Sequence, residues 1–273
     1  MRRGRRVALA GAGQALALVL LSPYLVMLFT AVKPAAELRT TPPRLLPVTW
    51  QWGNFLTVLG DDAFQAWLGV SLVVAATSTA LVVLAAVPAA YYTARHRFRG
   101  RAAFLFLVLV TQMFSPTALV VGLYREFFEL GLINTYAALI LTNAAFNLAF
   151  AIWILQAFFA SIPREIEEAA AVDGCGRLRS LLGIVLPLSL PGIVTAAIFA
   201  FIAAWNEYIV ALTLMTDAAR RPLTVGITTY VTAYVQHWNL LFAASIIAIV
   251  PVVVLFALIE RYLVGGLTAG SLK

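Results

Sequence analysis

Polar side chains that could contact a solute are embedded in long apolar runs of this sequence. Asn143 and Asn147 stand four residues apart, and Asn206 and Glu207 are adjacent within a later apolar run. A spacing of four residues places both asparagines on one face of a helix. Such amide and carboxylate groups can hydrogen-bond an uncharged solute along a polar path through a membrane. They can equally bond neighbouring helices and hold a bundle together, and for the asparagines the residues leave both interpretations open.

The residues needed for covalent chemistry, metal binding or nucleotide hydrolysis are sparse. The single cysteine, Cys175, allows no disulfide within the chain, and His96 and His237 are far apart without companions, so we expect no metal site. Lys33 and Lys273 are the only lysines and neither belongs to a Walker A loop, so the chain cannot itself be a P-loop ATPase. No nucleophile elbow of the G-x-S-x-G type occurs. We therefore expect no catalytic residue and no cofactor in this chain, which argues against an intramembrane enzyme.

One polar stretch in the second half of the chain, residues 161–174, has the features of a short helix. Pro163 suits its first turn, where the missing N–H is not needed. Negative charge, which a helix N-terminus favours, follows at once in Glu165, Glu167 and Glu168. A face of mostly small residues comes next at helical spacing, formed by Ile166, Ala169, Ala170 and Asp173. Gly174 can adopt the left-handed conformation that ends a helix. Such a face fits a groove in another protein, or packs as a linker on its own chain.

Composition indicates the elements that must hold these residues. The chain is 62% hydrophobic and 11% charged, with a mean hydropathy of +0.93. Soluble domains are about half apolar and a quarter charged, so this is an integral membrane protein. Six apolar runs are each long enough to cross a hydrocarbon core of about 30 Å as a helix. They lie at about residues 7–32, 66–92, 102–123, 137–159, 188–214 and 242–264.

The predicted fold class is therefore an all-α integral membrane protein with six transmembrane helices in a single domain, residues 1–273. A polar loop, residues 161–187, separates the fourth and fifth spans, and a tail, residues 265–273, follows the last. A cleaved secretory signal is disfavoured for the first span, because large apolar residues continue through any cleavage position. Prolines within four spans, at 88, 116, 191 and 251, predict kinks.

The distribution of basic residues predicts the orientation of these spans. With the N-terminus in the cytosol, 13 of the 19 lysines and arginines fall in cytosolic segments and 6 in external ones. This asymmetry satisfies the positive-inside rule and puts both termini in the cytosol. It also places residues 161–187 in the cytosol. The net charge of +7 thus reflects membrane topology, and we expect contact with the lipid bilayer and no nucleic-acid partner.

The polar loop also carries a motif of fixed spacing. Glu168-Ala169-Ala170 is followed after three residues by Gly174, and after nine more by Ile184-x-Leu186-Pro187. This pattern resembles the signature loop of ABC-importer permease subunits, in which a coupling helix docks on a cytosolic ATPase subunit. The resemblance implies an ATPase-coupling role for Glu165, Glu168, Ala169, Ala170, Asp173, Gly174, Ile184, Leu186 and Pro187.

Other segments are similar to the carbohydrate-importing branch of that family, and to the second permease of maltose- and trehalose-type importers. They are residues 157–163, 205–208, 221–226 and 266–273. The resemblance implies a bacterial inner-membrane importer that moves a disaccharide or small oligosaccharide by alternating access. Its partners would be a second related permease, two ATPase subunits that bind ATP and Mg, and an extracytoplasmic sugar-binding protein.

The resemblance also gives the C-terminal tail a role. In sugar-importer permeases the tail reaches between the two ATPase subunits, which implies contacts there for Thr268, Ala269, Gly270 and Ser271. The glycines of this segment and its lack of apolar periodicity argue against a continued helix. The alternative is that the tail is an ordinary frayed chain end.

Two further transporter classes stay open as alternatives. An ABC permease for a non-sugar solute is the nearer one, although an anionic solute should require intramembrane arginine, and only Arg261 lies near a span boundary. A secondary transporter would need paired interrupted helices in matching halves, and the sequence shows no internal repeat. The sequence does not specify which sugar is carried, or which permease of the pair contacts it.

Overall fold

The structure, a computed structural model, describes residues 2–232, 234 and 236–269. Within these residues the fold is all-helical, and the β-type pairing is confined to an isolated bridge between Val231 and Gln236. Helices are the expected outcome for such an apolar chain, because a helix satisfies its backbone hydrogen bonds internally where water is excluded. The α-helices in chain order are α1 (Arg2–Ala31), α2 (Gly53–Leu59), α3 (Asp62–Arg95), α4 (Arg101–Thr111), α5 (Pro116–Glu129), α6 (Tyr136–Ser161), α7 (Arg164–Val172), α8 (Arg177–Ser180), α9 (Leu186–Leu188), α10 (Leu190–Trp205), α11 (Ile209–Leu214), α12 (Leu223–Gly226) and α13 (Trp238–Ala269).

Four of these helices, α1, α3, α6 and α13, are by themselves long and apolar enough to cross a membrane. Two bent pairs raise the number of candidate spans to as many as 6. One pair is α4 with α5, which meet at 93°, and the other is the segment Arg177–Leu188 with α10, at 75°. The length and composition of the described helices thus indicate an integral membrane protein.

The third and fifth apolar runs are not the single helices that the sequence predicted. In the third, α4 ends at Thr111 and a new helix begins at Pro116. Before the fifth, a π-helical turn (Leu181–Val185) leads into α9. Within the fifth, α10 starts with Pro191 in its first turn and stops at Trp205. Proline cannot donate the backbone hydrogen bond of a helix interior and clashes with the preceding turn, so it begins helices here.

Contacts divide the chain into two compact units, of which the larger comprises Ala66–Val225 and Pro251–Lys273. Its centre is α6, in which half of the most apolar stretch of 18 residues is buried. One core cluster joins α3, α6 and α10, and includes Val82, Ile152, Leu155, Phe159 and Ala196. A second joins α3, the start of α6 and α11, and includes Val74, Leu139, Val210 and Leu214. Small residues allow the close packing: a Cβ on Gly192 of α10 would lie 2.4 Å from the Phe158 ring of α6.

The smaller unit comprises Met1–Gln65 and Gly226–Val250. Asn54 organises it, because its buried amide nitrogen donates to the carbonyls of Ala31, at 2.7 Å, and Lys33, at 3.0 Å. Its amide oxygen accepts from Asn239 at 3.3 Å. The Tyr230 hydroxyl donates to the Asp61 carboxylate at 2.8 Å, and burial together with this carboxylate raises the pKa of Tyr230 above its ordinary value.

The last helix departs from the predicted span. We expected it to end near residue 264, but the helical backbone of α13 continues to Ala269 and passes through Gly265 and Gly266. Glycine costs a helix only about 1 kcal/mol relative to alanine, which discourages a helix without forbidding it. Of the predicted tail contacts, Thr268 and Ala269 have helical backbone, whereas Gly270 and Ser271 lie outside the described residues.

Candidate functional site around α7

The short helix predicted from the polar stretch is present as α7. It begins after Pro163, carries Glu165 and Glu167 in its first turn, and ends at Val172. Gly174 follows with φ of +78°, a conformation that favours glycine. The Gly174 N–H donates to the Ala171 carbonyl at 3.1 Å and the Cys175 N–H to the Ala170 carbonyl at 2.9 Å. These two bonds form a Schellman motif, so the predicted glycine stop is confirmed.

Most of α7 is exposed. Glu165, Glu168, Ala169, Asp173 and Gly174 are exposed, whereas Ala170 is buried on the opposite side. The other predicted coupling residues follow the turn: Ile184 and Leu186 are half-buried in the π-helical turn and α9, and Pro187 is exposed. The structure therefore exposes the motif residues of α7 and its turn, apart from Ala170, and partly buries Ile184 and Leu186 further along the chain.

Large apolar side chains on this segment are also exposed. Val172 at the end of α7 is 88% exposed, Leu178 on α8 is 68% exposed, and Leu182 is 57% exposed. Two basic side chains, Arg177 and Arg179, lie among them. An exposed apolar surface with a polar surround is typical of a protein interaction site.

A cluster of side chains fixes the opposite side of α7 to the end of α3; we name it the Glu167 junction (Tyr91, Arg95, Ile162, Arg164 and Glu167). Arg95 Nε and Glu167 Oε1 form an ion pair at 2.5 Å, although without the alignment of a hydrogen bond. The Tyr91 hydroxyl donates to Glu167 Oε2 at 2.6 Å. Arg95 Nη1 donates to the Ile162 carbonyl, and Arg164 Nη2 donates to the Arg95 carbonyl, both at 3.0 Å.

The Arg95–Glu167 pair of the Glu167 junction is largely buried and borders a cleft. The side chains of Arg95 and Glu167 are only 8% and 18% exposed. The cleft beside them measures about 260 Å³ and is also lined by His96, Glu168 and Arg177. Sequence reasoning placed Glu167 only as a helix N-terminal charge and Arg95 only in a basic turn. The sequence shows a charged residue in each of these segments, but it does not indicate that Glu167 and Arg95 contact each other.

The four residues of the predicted solute path are not brought together as one site. The Asn143 amide donates to the Leu139 carbonyl at 2.9 Å and the Asn147 amide to the Asn143 carbonyl at 2.8 Å, both within α6. Asn143 is buried, Asn147 half-buried and Asn206, just after α10, exposed. Asn143 and Glu207 do line one void, but its volume of about 10 Å³ suits a single water molecule and not a sugar.

Glu207 has a structural task that sequence reasoning missed. The chain is non-helical at 206–208, between α10 and α11. Glu207 accepts the backbone N–H groups of Val210, at 2.7 Å, and Ala211, at 2.9 Å, and so caps α11. Its own carbonyl accepts from the Thr224 hydroxyl at 2.7 Å. A helix break stabilised in this way is typical of transporter spans, where irregular backbone lines a cavity or is buried in protein.

The searched part of the chain contains no group of three or more His, Cys, Asp or Glu side chains that could hold a metal ion. The chemistry that the described site offers is thus that of surfaces and hydrogen bonds.

Helices broken within apolar runs, with an exposed polar helix between two of them, are features found in membrane transporters. The chain matches, over residues 83–268, the family described as binding-protein-dependent transport system inner membrane component. It belongs to this family and is a permease subunit of an ABC importer.

Several characterised proteins are similar over most of their length. The chain is 38% identical to the sulfoquinovosyl glycerol transport system permease protein SmoH of Agrobacterium fabrum, over 93% of this chain and 89% of SmoH. It is 38% identical to the trehalose/maltose transport system permease protein MalG of Thermococcus litoralis, over 81% of this chain and 80% of MalG. The diacetylchitobiose uptake system permease protein DasC of Streptomyces coelicolor is 31% identical, over 93% and 92%.

A solved structure has the same fold. The chain superposes with a TM-score of 0.81 on a chain of a bacterial ABC transporter involved in the import of the acidic polysaccharide alginate, at 24% identity. The match covers 96% of this chain and 98% of that chain. The predicted family is confirmed by these comparisons.

Proposed function

We propose that this chain is a transmembrane subunit of a sugar importer, and that its solute is a disaccharide or small oligosaccharide. The observation that carries the proposal is the similarity, over most of the chain, to permease proteins named for sulfoquinovosyl glycerol, trehalose or maltose, and diacetylchitobiose. The solutes in these names all contain sugars.

The proposed architecture has six spans, with α4–α5 forming one broken span and α10–α11 another. Both termini and α7 lie in the cytosol, as the basic residues indicate. A second related permease completes the translocation path, and an extracytoplasmic binding protein delivers the sugar. Two ATPase subunits bind ATP and Mg and drive alternating access.

The α7 segment is the proposed docking site for one ATPase subunit. Two features support this role: the motif residues Glu168, Ala169 and Gly174 are exposed on one segment, and Val172 and Leu178 expose apolar surface beside them. Contiguous apolar surface exposed outside the membrane is typical of a site that a partner protein covers. The residues of the tail, Thr268 to Ser271, are proposed as a second ATPase contact, on the resemblance alone.

Asn143, Asn147, Asn206 and Glu207 are proposed to lie near the solute path. The support is the break between α10 and α11, since unwound backbone in a span is found where it lines a path. Asn206 is the exposed member and is the best placed to contact solute, whereas Glu207 acts on the backbone of α11.

The test of the function is transport by the reconstituted complex of both permeases, the ATPases and the binding protein in liposomes. A panel of neutral and acidic disaccharides and oligosaccharides, sugar phosphates and amino acids is supplied with the binding protein. We expect ATP-dependent uptake, and stimulated ATP hydrolysis, with one or more of the disaccharides or oligosaccharides. Stimulation by an amino acid or phosphate ester, with none of the sugars active, would contradict the proposal.

The proposed topology has its own test. Ala169→Cys in a Cys175→Ser background places one thiol on exposed α7. A membrane-impermeant thiol reagent should label it only after the cells are opened. Labelling in intact cells would reverse the orientation and remove α7 from the reach of an ATPase.

A further inference from the structure

Side chains rather than chain connectivity determine what α7 is attached to. In sequence α7 follows α6 and precedes α8. The buried polar contacts of its N-terminal half, however, go to the end of α3: Glu167 meets both Tyr91, 76 residues earlier, and Arg95. Backbone carbonyls take part as well. The Arg95 side chain donates to the Ile162 carbonyl, and the Arg164 side chain donates to the Arg95 carbonyl.

The geometry of these contacts constrains orientation as well as distance. Glu167 uses one carboxylate oxygen for Tyr91 and the other for Arg95, so its plane cannot rotate freely. Tyr91 in turn packs edge-on against the buried Phe159 ring of α6, with centroids 5.8 Å apart. Arg95 is held between the Glu167 carboxylate and the Ile162 carbonyl. Each partner is therefore held from two directions.

Burial makes this arrangement costly to open. Arg95 has a side chain only 8% exposed, and without Glu167 it would remain as a buried charge facing Arg164 and Arg177 across the cleft. Removing one member of a buried ion pair is far more unfavourable than breaking an exposed pair. The Glu167 junction is thus expected to stay closed while the helices that it joins move together.

On α3 the junction reaches a long, packed element. This helix runs from Asp62 to Arg95, and its buried face contributes Val82, Ala86, Ala90 and Ala94 to the core that contains α6 and α10. A displacement of its end is passed along the helix, because a packed helix moves as a rigid element.

We propose that Glu167 is a positioning residue that fixes α7 to the end of α3, so that movement of α7 is transmitted directly into the α3 span. The inference rests on the proposed function, in which an ATPase moves α7. Glu167 would act through Arg95 and Tyr91 and need not touch the ATPase. The exposed motif residues dock the partner, and the buried Glu167 carries the motion inward.

The test uses the complete reconstituted complex with Glu167→Ala, and the charge-exchanged double variant Arg95→Glu with Glu167→Arg. Sugar transported per ATP hydrolysed is compared with the amount of ATPase that co-purifies. For Glu167→Ala we expect normal ATPase association but a several-fold fall in sugar transported per ATP, because movement of α7 would no longer be passed fully to α3. The exchanged pair should recover part of that loss, which a purely local packing defect would not.

Controls separate positioning from charge loss in general. Arg125 and Glu129 form an ion pair at 3.1 Å that is largely exposed, and Glu129→Ala should leave sugar per ATP unchanged. Tyr91→Phe removes only the hydroxyl and keeps the ring against Phe159, so it should fold and show a smaller loss of the same kind. Unchanged sugar per ATP in both Glu167→Ala and Tyr91→Phe, or loss of ATPase association in Tyr91→Phe, would overturn the proposal.

A distance measurement tests the proposal without transport. Spin labels on the native Cys175, which follows the turn at the end of α7, and on Arg97→Cys report the separation of this end of α7 from the end of α3. In the complex the distribution of distances between the two labels should stay narrow with and without ATP. In Tyr91→Phe it should broaden. A separation that already changes with ATP in the otherwise unaltered protein would refute the junction as a rigid link. Lack of sugar-stimulated hydrolysis in the unaltered complex would instead refute the proposed function.

Discussion

The ends of α5 and α7 are built in the same way but have different surroundings. Each helix is followed by a glycine in the left-handed region, Gly131 with φ of +67° and Gly174 with φ of +78°. At α5 the Gly131 N–H donates to Phe128 at 3.1 Å and the Leu132 N–H to Phe127 at 2.8 Å. This is the Schellman pair of bonds that also ends α7.

After Gly131 the chain is tied to its own protein. Asn134, with φ of +60°, donates its N–H to Leu214 at 3.1 Å and its side-chain amide to Thr216 at 2.8 Å. Its side-chain oxygen accepts from the Asp217 N–H at 2.9 Å, and its carbonyl from Arg220 at 2.8 Å. All four polar groups of this one residue are used to join the α5–α6 loop to residues 214–220.

After Gly174 no comparable internal network is found among the described residues, and Val172 and Leu178 are exposed beside it. The comparison teaches that a helix-stop signal defines a turn but not its surroundings. The loop after one glycine turn is hydrogen-bonded to its own chain, and the segment after the other leaves apolar side chains that a partner can cover. Substitutions at matched positions of the two ends can test this difference.

The largest effect on stability is expected for Asn134→Ala. It removes the side-chain hydrogen bonds to Thr216 and Asp217. It also places alanine at a positive φ, where its Cβ strains the backbone. Two lost bonds of about 1 kcal/mol each, with about 1 kcal/mol of backbone strain, give a loss of about 3 kcal/mol. Thermal unfolding of the detergent-solubilised complex measures it.

Asn134→Gly separates the two contributions. Glycine adopts the positive φ without strain, so this variant should recover about 1 kcal/mol relative to alanine and still lack both side-chain bonds. Equal unfolding temperatures for Asn134→Ala and the unaltered complex would show that the Asn134 contacts do not stabilise this end of α5.

An intermediate effect is expected for leucine at the two glycines. Gly131→Leu and Gly174→Leu each force a branched side chain into the left-handed region, at about 1 to 2 kcal/mol, and a Cβ at either position meets no atom within 4 Å. The two losses of thermal stability should therefore be similar. Only Gly174→Leu should also lower the amount of ATPase that co-purifies, because only that turn belongs to the proposed docking segment. Equal ATPase recovery in both variants would remove Gly174 from the interface.

The smallest effect on stability is expected for serine at exposed apolar positions of the same two ends. Val172 is 88% exposed and Leu130 is 66% exposed, so Val172→Ser and Leu130→Ser should each change unfolding by no more than about 0.5 kcal/mol. Val172→Ser should nevertheless weaken ATPase binding by about 1 to 2 kcal/mol, the value of one apolar side chain buried at an interface. A titration of ATPase onto the solubilised permease pair measures this, with Leu130→Ser as the control.

Much of the α7 end was predictable from a few neighbouring residues. Pro163, the following glutamates and Gly174 specify start, polarity and stop within about a dozen positions, and the structure has the helix and the left-handed turn there. The central helix was equally well predicted, since the apolar run 137–159 became α6 at Tyr136–Ser161. Breaks were harder: Pro116 predicted a kink in the third span, but the angle of 93° between α4 and α5 required the structure.

The sequence by itself thus determined the membrane class, the helical fold, the order of the helices and the motif of α7. These follow from composition, periodicity and capping, which act over short distances along the chain. Only the tertiary structure decided that Glu167 meets Tyr91 and Arg95, and that Asn134 joins the end of α5 to residues 214–220. The reason is physical: a buried charge or amide takes whatever partner packing brings within about 3 Å. Packing joins residues that the sequence keeps far apart, as it does for Tyr91 and Glu167, 76 positions from each other.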